Sequence, residues 1–168
     1  RSCLPGSFGS SMSSVRQDSY VACASRASAA QTSTCTMGRA TSIQTLIDTT
    51  RLALERGIAA AAGGKRINDI SRAIWEAIHP AGFGVVRPYV GHGVGLAIHE
   101  DPQVPNYLGR GPNPRLKPGM VLAIEPMVNL GSDDVEVLDD DWTVVTADGS
   151  VSVHFEHTVV ILSGGADV

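Results

Sequence analysis

The stretch 91–102, Gly-His-Gly-Val-Gly-Leu-Ala-Ile-His-Glu-Asp-Pro, constrains this chain more than any other. It sets His92 between two glycines and places His99 seven residues further on. Glycine permits tight turns and close approach of backbone to a ligand, so a histidine held between two of them reads as part of a site rather than of a core. Two further patterns lie downstream, Ile124-Glu125-Pro126-Met127 and Phe155-Glu156-His157-Thr158. Each puts a carboxylate inside an apolar, strand-like run. One His and two Glu make a hard, oxygen-rich donor set for a divalent metal.

Glu125 follows the run Met120–Ile124 and precedes Pro126, which holds its backbone extended and fixes the direction of its side chain. Burying a carboxylate in such a run is costly unless a cation or hydrogen bonds compensate it. Two carboxylates brought together repel, and one takes up a proton unless a divalent cation keeps both ionised. A metal therefore accounts for Glu125 and Glu156 together with His92 better than two separate salt bridges do. His99 reads either as a further ligand or as a donor to substrate. For His154 and His157 the expectation is strand packing and outer hydrogen bonding, with His157 the better candidate to support Glu156. His79, at a helix end before Pro80, reads as a surface or capping residue.

A chain of 168 residues with a hydrophobic fraction of 43% suits one domain with a real core. Its net charge of -4 argues against nucleic acid or a membrane surface as the main partner, since either favours a basic face. No apolar run approaches the ~18–20 residues that span a bilayer. Cys3, Cys23 and Cys35 have no metal-type spacing and read as unpaired thiols of a reducing compartment, so a cytoplasmic location is expected. The chain starts at Arg1 without a basic-then-apolar leader, so no targeting signal is visible.

Residues 1–40 read unlike the rest: Ser, Ala, Gly and Thr dominate, Asp18 is the only acid, and His is absent. A disordered or misread leader is expected there, with a junction near Thr41, a domain over 41–163 and a tail over 164–168. From Thr41, with Thr41 or Ser42 as cap, the spacing of Ile43, Leu46, Ile47, Thr50, Leu54 and Ile58 predicts a helix that Gly63-Gly64 ends. A second helix carries Ile67, Ile70, Ile74 and Ile78 on one stripe and closes at Pro80. Short apolar runs then predict strands at 85–90, 120–128, 135–138, 143–146 and 153–162, with a long loop over 101–118. Two helices followed by mostly antiparallel strands make an α+β domain with the helices on one face.

At these residues a resemblance becomes plain. Tyr89–Gly95, the run His99–Tyr107, Lys117–Val128, Asp141–Val144 and Phe155–Thr158 resemble the type I methionine aminopeptidases over about 41–162. The Pro-Asn-Tyr continuation and the Asp-Trp-Thr-Val segment point to that branch within the creatinase and prolidase superfamily. The resemblance implies a pita-bread fold of two pseudo-symmetric halves with divalent metals between them. It implies that His92, Glu125 and Glu156 are metal ligands and that His99 hydrogen-bonds the substrate near the scissile amide. Trp142 and Ile98 match positions beside the pocket for the methionine side chain, where Ile98 replaces an aromatic often found in the family. In that family a metal activates water against the first peptide bond and a Glu, matched here by Glu125, shuttles the proton.

The chain also departs from those relatives. They carry two Asp ligands and another substrate-binding His in the half preceding the helix placed at Thr41, whereas residues 1–40 offer only Asp18 and no His. The fold is therefore expected to be incomplete, with a Ser/Ala-rich leader in place of its first half, one metal at most instead of two, and an unpaired strand edge. The metal suits Co, Mn, Fe or Zn. The expected partner is the N-terminal Met of nascent peptides, near the ribosome, for a monomer of impaired activity. A catalytically dead binding module and an Xaa-Pro dipeptidase relative are the alternative readings.

Overall fold

The computed structural model describes residues 19–23 and 36–168. The readings of residues 1–18 and 24–35, and of the Cys3, Cys23 and Cys35 thiols, fall outside what is described. Two helices pack on one face of a largely antiparallel sheet, the α+β arrangement that the pattern predicts.

Helix α1 runs Thr36–Ala60, so it begins before Thr41, and Thr41 and Ser42 are interior residues rather than caps. Its core stripe is the expected one. Leu46, Thr50 and Leu54 are buried, joined by Ala53, while Ile47 and Ile58 pack against the core from its margin. Thr50 satisfies its hydroxyl by donating to the Leu46 carbonyl at 2.7 Å. Helix α2 spans Ile67–Ile78, and Ile67, Ile70, Ile74 and Ile78 are wholly buried. At its start the Arg66 N–H donates to the Asp69 carboxylate at 2.8 Å, a side-chain cap for an otherwise unpaired donor. A single 3-10 turn, His79–Ala81, follows, and His79 stacks on Trp75 at 4.7 Å. Where the helices cross, a Cβ on Gly57 would lie 2.9 Å from Ile74 and 3.2 Å from Ile124, so glycine sets how closely α1 approaches both α2 and the sheet.

Strand β1 is Ser19–Cys23, and β2 is only Gly84–Val85, because Pro88 ends the run expected to reach Val90. Two strands lie inside the histidine stretch and the expected loop, β3 at Gly91–Gly93 and β4 at Glu100–Val104. The run 120–128 divides into β5, Val121–Ile124, and β6, Met127–Asn129. Pro126 has no N–H for the ladder, although its carbonyl still accepts from the Phe155 N–H at 3.3 Å. Strands β7, Val135–Val137, and β8, Val144–Thr146, form a separate hairpin. Strand β9 covers Ser152–Leu162, and β10 covers Gly165–Asp167 in what reads as a tail.

The main sheet has the order β2-β6-β9-β5-β3-β4, and β9 is its organising strand. Both β5 and β6 lie along β9, while β1 pairs antiparallel with residues 152–156 and β10 with residues 160–162. The edge expected to be unpaired is thus lined by β1 and β10 over those residues. The remainder of the long loop is tied down rather than loose: Leu116 is buried and exchanges backbone hydrogen bonds with Lys65 and Gly64.

Candidate metal centre

Strand alternation sorts the sheet residues between two faces. Leu122, Ile124, Val153, Phe155, Val159 and Ile161 are buried in the core beneath the helices. The opposite face carries the candidate ligands. In the register Ile124 pairs with His157 and Met127 with His154, so Glu125 stands directly opposite Glu156. On the other side of β5, His92 pairs with Ala123 and therefore shares that face. Three neighbouring strands thus present His92, Glu125, Glu156 and His154 on one surface, and the small Ala123 lies between the His92 and Glu125 positions. Like charges directly opposite on a sheet destabilise it.

The His92 Nε2 lies 3.4 Å from the Glu125 Oε1, both side chains being mostly buried. His92 Nδ1 lies 2.9 Å from the Gly93 carbonyl, and a carbonyl only accepts, so Nδ1 carries the proton there. In the neutral ring Nε2 is then a lone pair facing a carboxylate oxygen. Only a proton or a cation reconciles two acceptors so placed. On the other carboxylate oxygen, Oε2, the His154 Nε2 also lies 3.4 Å away, and that nitrogen is buried with no hydrogen-bond partner. One donor atom each from Glu125, His154 and Glu156 lies within 4.8 Å of the others, a spacing at which one ion can be held.

This arrangement corrects the assignment of the outer histidines. His157 pairs with Ile124 and projects toward the helix side, away from the Glu156 carboxylate. His154, two residues from Glu156 on β9, shares its face, and the period-two rule applied to Val153–Val160 carries that signal. Asn106 was not legible at all. It is wholly buried and donates from Nδ2 to the Glu125 carbonyl at 3.0 Å, holding the backbone where β5 gives way to Pro126.

The glycines around His92 serve the sheet rather than a turn. A Cβ on Gly91 would collide with the Ala123 carbonyl, and one on Gly93 with the Asp101 carbonyl. Neither has a positive φ, so what they allow is close lateral packing of β3 against β5 and β4. The following turn is pinned by Glu100, whose carboxylate accepts from the Ala97 N–H at 2.7 Å.

A cavity of about 420 Å³ opens over the centre, lined by His92, Ile98, His99, Glu125, Glu156 and Thr158 among others. The His99 ring sits 4.2 Å from that of His92. Ile98 is exposed in the cavity wall, so His99 and Ile98 join His92, Glu125 and Glu156 in one place. Trp142 does not line this cavity. It is 86% exposed in the β7–β8 connection, where Asp140 accepts from the Trp142 N–H at 3.1 Å.

Comparison with known proteins places this geometry. Metallopeptidase family M24 matches residues 16–163, a span that reaches into the stretch read as a leader. Methionine aminopeptidase 1 of Bacillus subtilis is 53% identical over 123 residues, which are 73% of this chain and 50% of that protein. The chain spans about half the length of the curated relatives it matches. Among solved structures, methionine aminopeptidase from Thermotoga maritima is similar with a TM-score of 0.71 and 48% identity, over 75% of this chain and 51% of that one. Prolidase from Pyrococcus furiosus is more distant, with a TM-score of 0.53 and 28% identity over 74% of this chain and 31% of its own.

Proposed function

Because the chain belongs to metallopeptidase family M24, we propose that it carries the metal-binding part of an aminopeptidase that removes the N-terminal methionine from newly made polypeptides. One observation carries this reading: Glu125 stands opposite Glu156 on adjacent strands, with the His92 Nε2 3.4 Å from Glu125. The buried, unpartnered Nε2 of His154 beside them fits a cation as well.

His92, Glu125 and Glu156 hold the metal, and a set of imidazole and carboxylate donors suits Mn, Fe, Co or Zn. A bound divalent ion supplies Lewis acidity, polarising the scissile carbonyl and making water nucleophilic near neutral pH. Glu125 carries the proton from the attacking water to the leaving amine. His99, in the same cavity wall, donates a hydrogen bond to the substrate near the scissile amide. Ile98 contributes to the pocket for the methionine side chain, whereas Trp142, exposed in the β7–β8 connection, is left out of it. Among the described residues one set of donors meets, and the reading expects one ion and slow turnover from it.

The test is methionine release from a Met-Ala-Ser peptide by the chain supplied with Co²⁺ or Mn²⁺, against an Ala-Pro peptide under the same conditions. Slow, metal-dependent release that disappears in Glu125→Gln is expected. Preferential cleavage of Ala-Pro supports a prolidase-type enzyme instead, and cation binding with no cleavage of either peptide supports a binding module.

A further inference from the structure

Resting on the proposed carboxylate site, we infer that His154 is a direct ligand of the same cation, so that this chain holds its metal with two imidazoles and two carboxylates drawn from β3, β5 and β9. The inference starts from Glu125, whose two oxygens each face a different imidazole: Oε1 lies 3.4 Å from His92 Nε2 and Oε2 lies 3.4 Å from His154 Nε2. Two donors bound to one ion at ~2.1 Å, at ordinary coordination angles, are ~3.0–3.4 Å apart. Both His-Glu separations therefore match a ligand pair.

His154 is the tighter fit of the two imidazoles. One of its ring nitrogens joins donor atoms of Glu125 and Glu156 in a set whose members all lie within 4.8 Å; among the described residues no set of that kind includes His92, whose ring has to shift toward the ion to complete the four ligands. The His154 Nε2 is buried without a hydrogen-bond partner, a costly state for a polar atom unless something not supplied by these residues satisfies it. A second cavity, of about 280 Å³, is lined by His154 and Glu125 but not by His99, with Met127, Val135, Val144 and Val145 among its walls. Tyr89, Thr146 and Ser152 also line it, yet none of their hydroxyls bonds to Nε2. A cation between the carboxylates satisfies it and removes the like-charge clash in one step.

Register explains how the sequence achieves this. His154 lies two residues before Glu156 on the same strand and pairs with Met127, two residues beyond Glu125. All four donors thus fall on one face without any loop having to close over them.

The experiment loads the full chain with Co²⁺ and reads two quantities: affinity by isothermal titration, and the number of hyperfine-shifted, exchangeable imidazole N–H signals in the proton NMR spectrum. Two such signals and one Co²⁺ per chain are expected. His154→Gln removes one signal and raises Kd about 10- to 100-fold, the scale on which changes around a metal act. His92→Gln removes the other signal. His154→Ala recovers affinity when free imidazole is added, which separates lost ligation from lost folding. An unchanged spectrum and Kd in His154→Gln overturns the inference while leaving the carboxylate site standing. A wild-type chain that binds no Co²⁺, or one whose binding Glu156→Gln leaves intact, overturns the carboxylate site and this inference with it.

Discussion

Glu125 and Glu156 face each other across adjacent strands, in continuous register from the Ile124–His157 pair to the Met127–His154 pair. Such a pairing strains the apo protein by like-charge repulsion and strengthens it once a cation lies between the two groups. The Glu156→Gln variant should therefore melt slightly higher than the parent without metal, by about 0.2–1 kcal/mol of stability, the range of a single cross-strand pair. With Mn²⁺ the order should reverse, because the parent gains stability by mass action and the variant does not. Parallel thermal melts with EDTA and with Mn²⁺ check both signs.

Asn106 holds the Glu125 carbonyl from a fully buried position. Asn106→Ala leaves that carbonyl without its partner and should cost about 1–3 kcal/mol, the penalty of an unsatisfied buried group. Cation affinity should fall as well, since the Glu125 backbone loses its anchor. Denaturant unfolding and a metal titration on the same sample measure the two effects.

Gly93 admits no side chain because the Asp101 carbonyl occupies the space a Cβ needs. Gly93→Ala must push β3 and β4 apart and should destabilise the domain by about 1–3 kcal/mol, as overpacking does. The open turn glycine Gly111 has nothing within 4 Å of an added Cβ, so Gly111→Ala should leave stability nearly unchanged. Comparing the two unfolding curves separates packing from a general intolerance of alanine.

Asp148 ties the start of β9 to the turn after β6. Its carboxylate accepts from the Ser132 N–H, the Ser150 hydroxyl and the Ser150 N–H, which hold it down to about 2 from an ordinary 3.8. A depressed folded-state value means that the contribution is fully present above 3.8 and is lost as pH falls through about 2. Asp148→Asn should thus be less stable than the parent near neutral pH, with the difference vanishing as pH approaches 2. Hydrogen exchange at Ser132 and Ser150, followed down the pH scale, reports the loss locally.

Much of the domain was legible because burial repeats with a fixed period. The isoleucine stripe of α2 lies wholly in the core, and the apolar residues of β9 alternate as an amphipathic strand must. The site was legible for a related reason: Glu125 and Glu156 interrupt apolar runs where a bare carboxylate has no place. What stayed hidden depends on pairing between distant strands. In the sequence His157 looks the better support for Glu156, until register puts His154 on the site face and His157 beneath the helices. The contact of Asn106 with Glu125 spans a loop and leaves no periodic trace. The glycines around His92 suggested a turn, because a sequence does not reveal that a neighbouring carbonyl needs the space. The α1 start moved upstream to Thr36 because Ser, Ala, Gly and Thr mark no boundary in hydrophobic pattern.

The central claim, that the opposed pair Glu125 and Glu156 grips a divalent ion, is tested most directly by calorimetric titration of Mn²⁺ into the chain and into Glu156→Gln. The account predicts one saturable site per chain that is lost in the variant. No saturable binding to the parent, or equal binding to both, would contradict it.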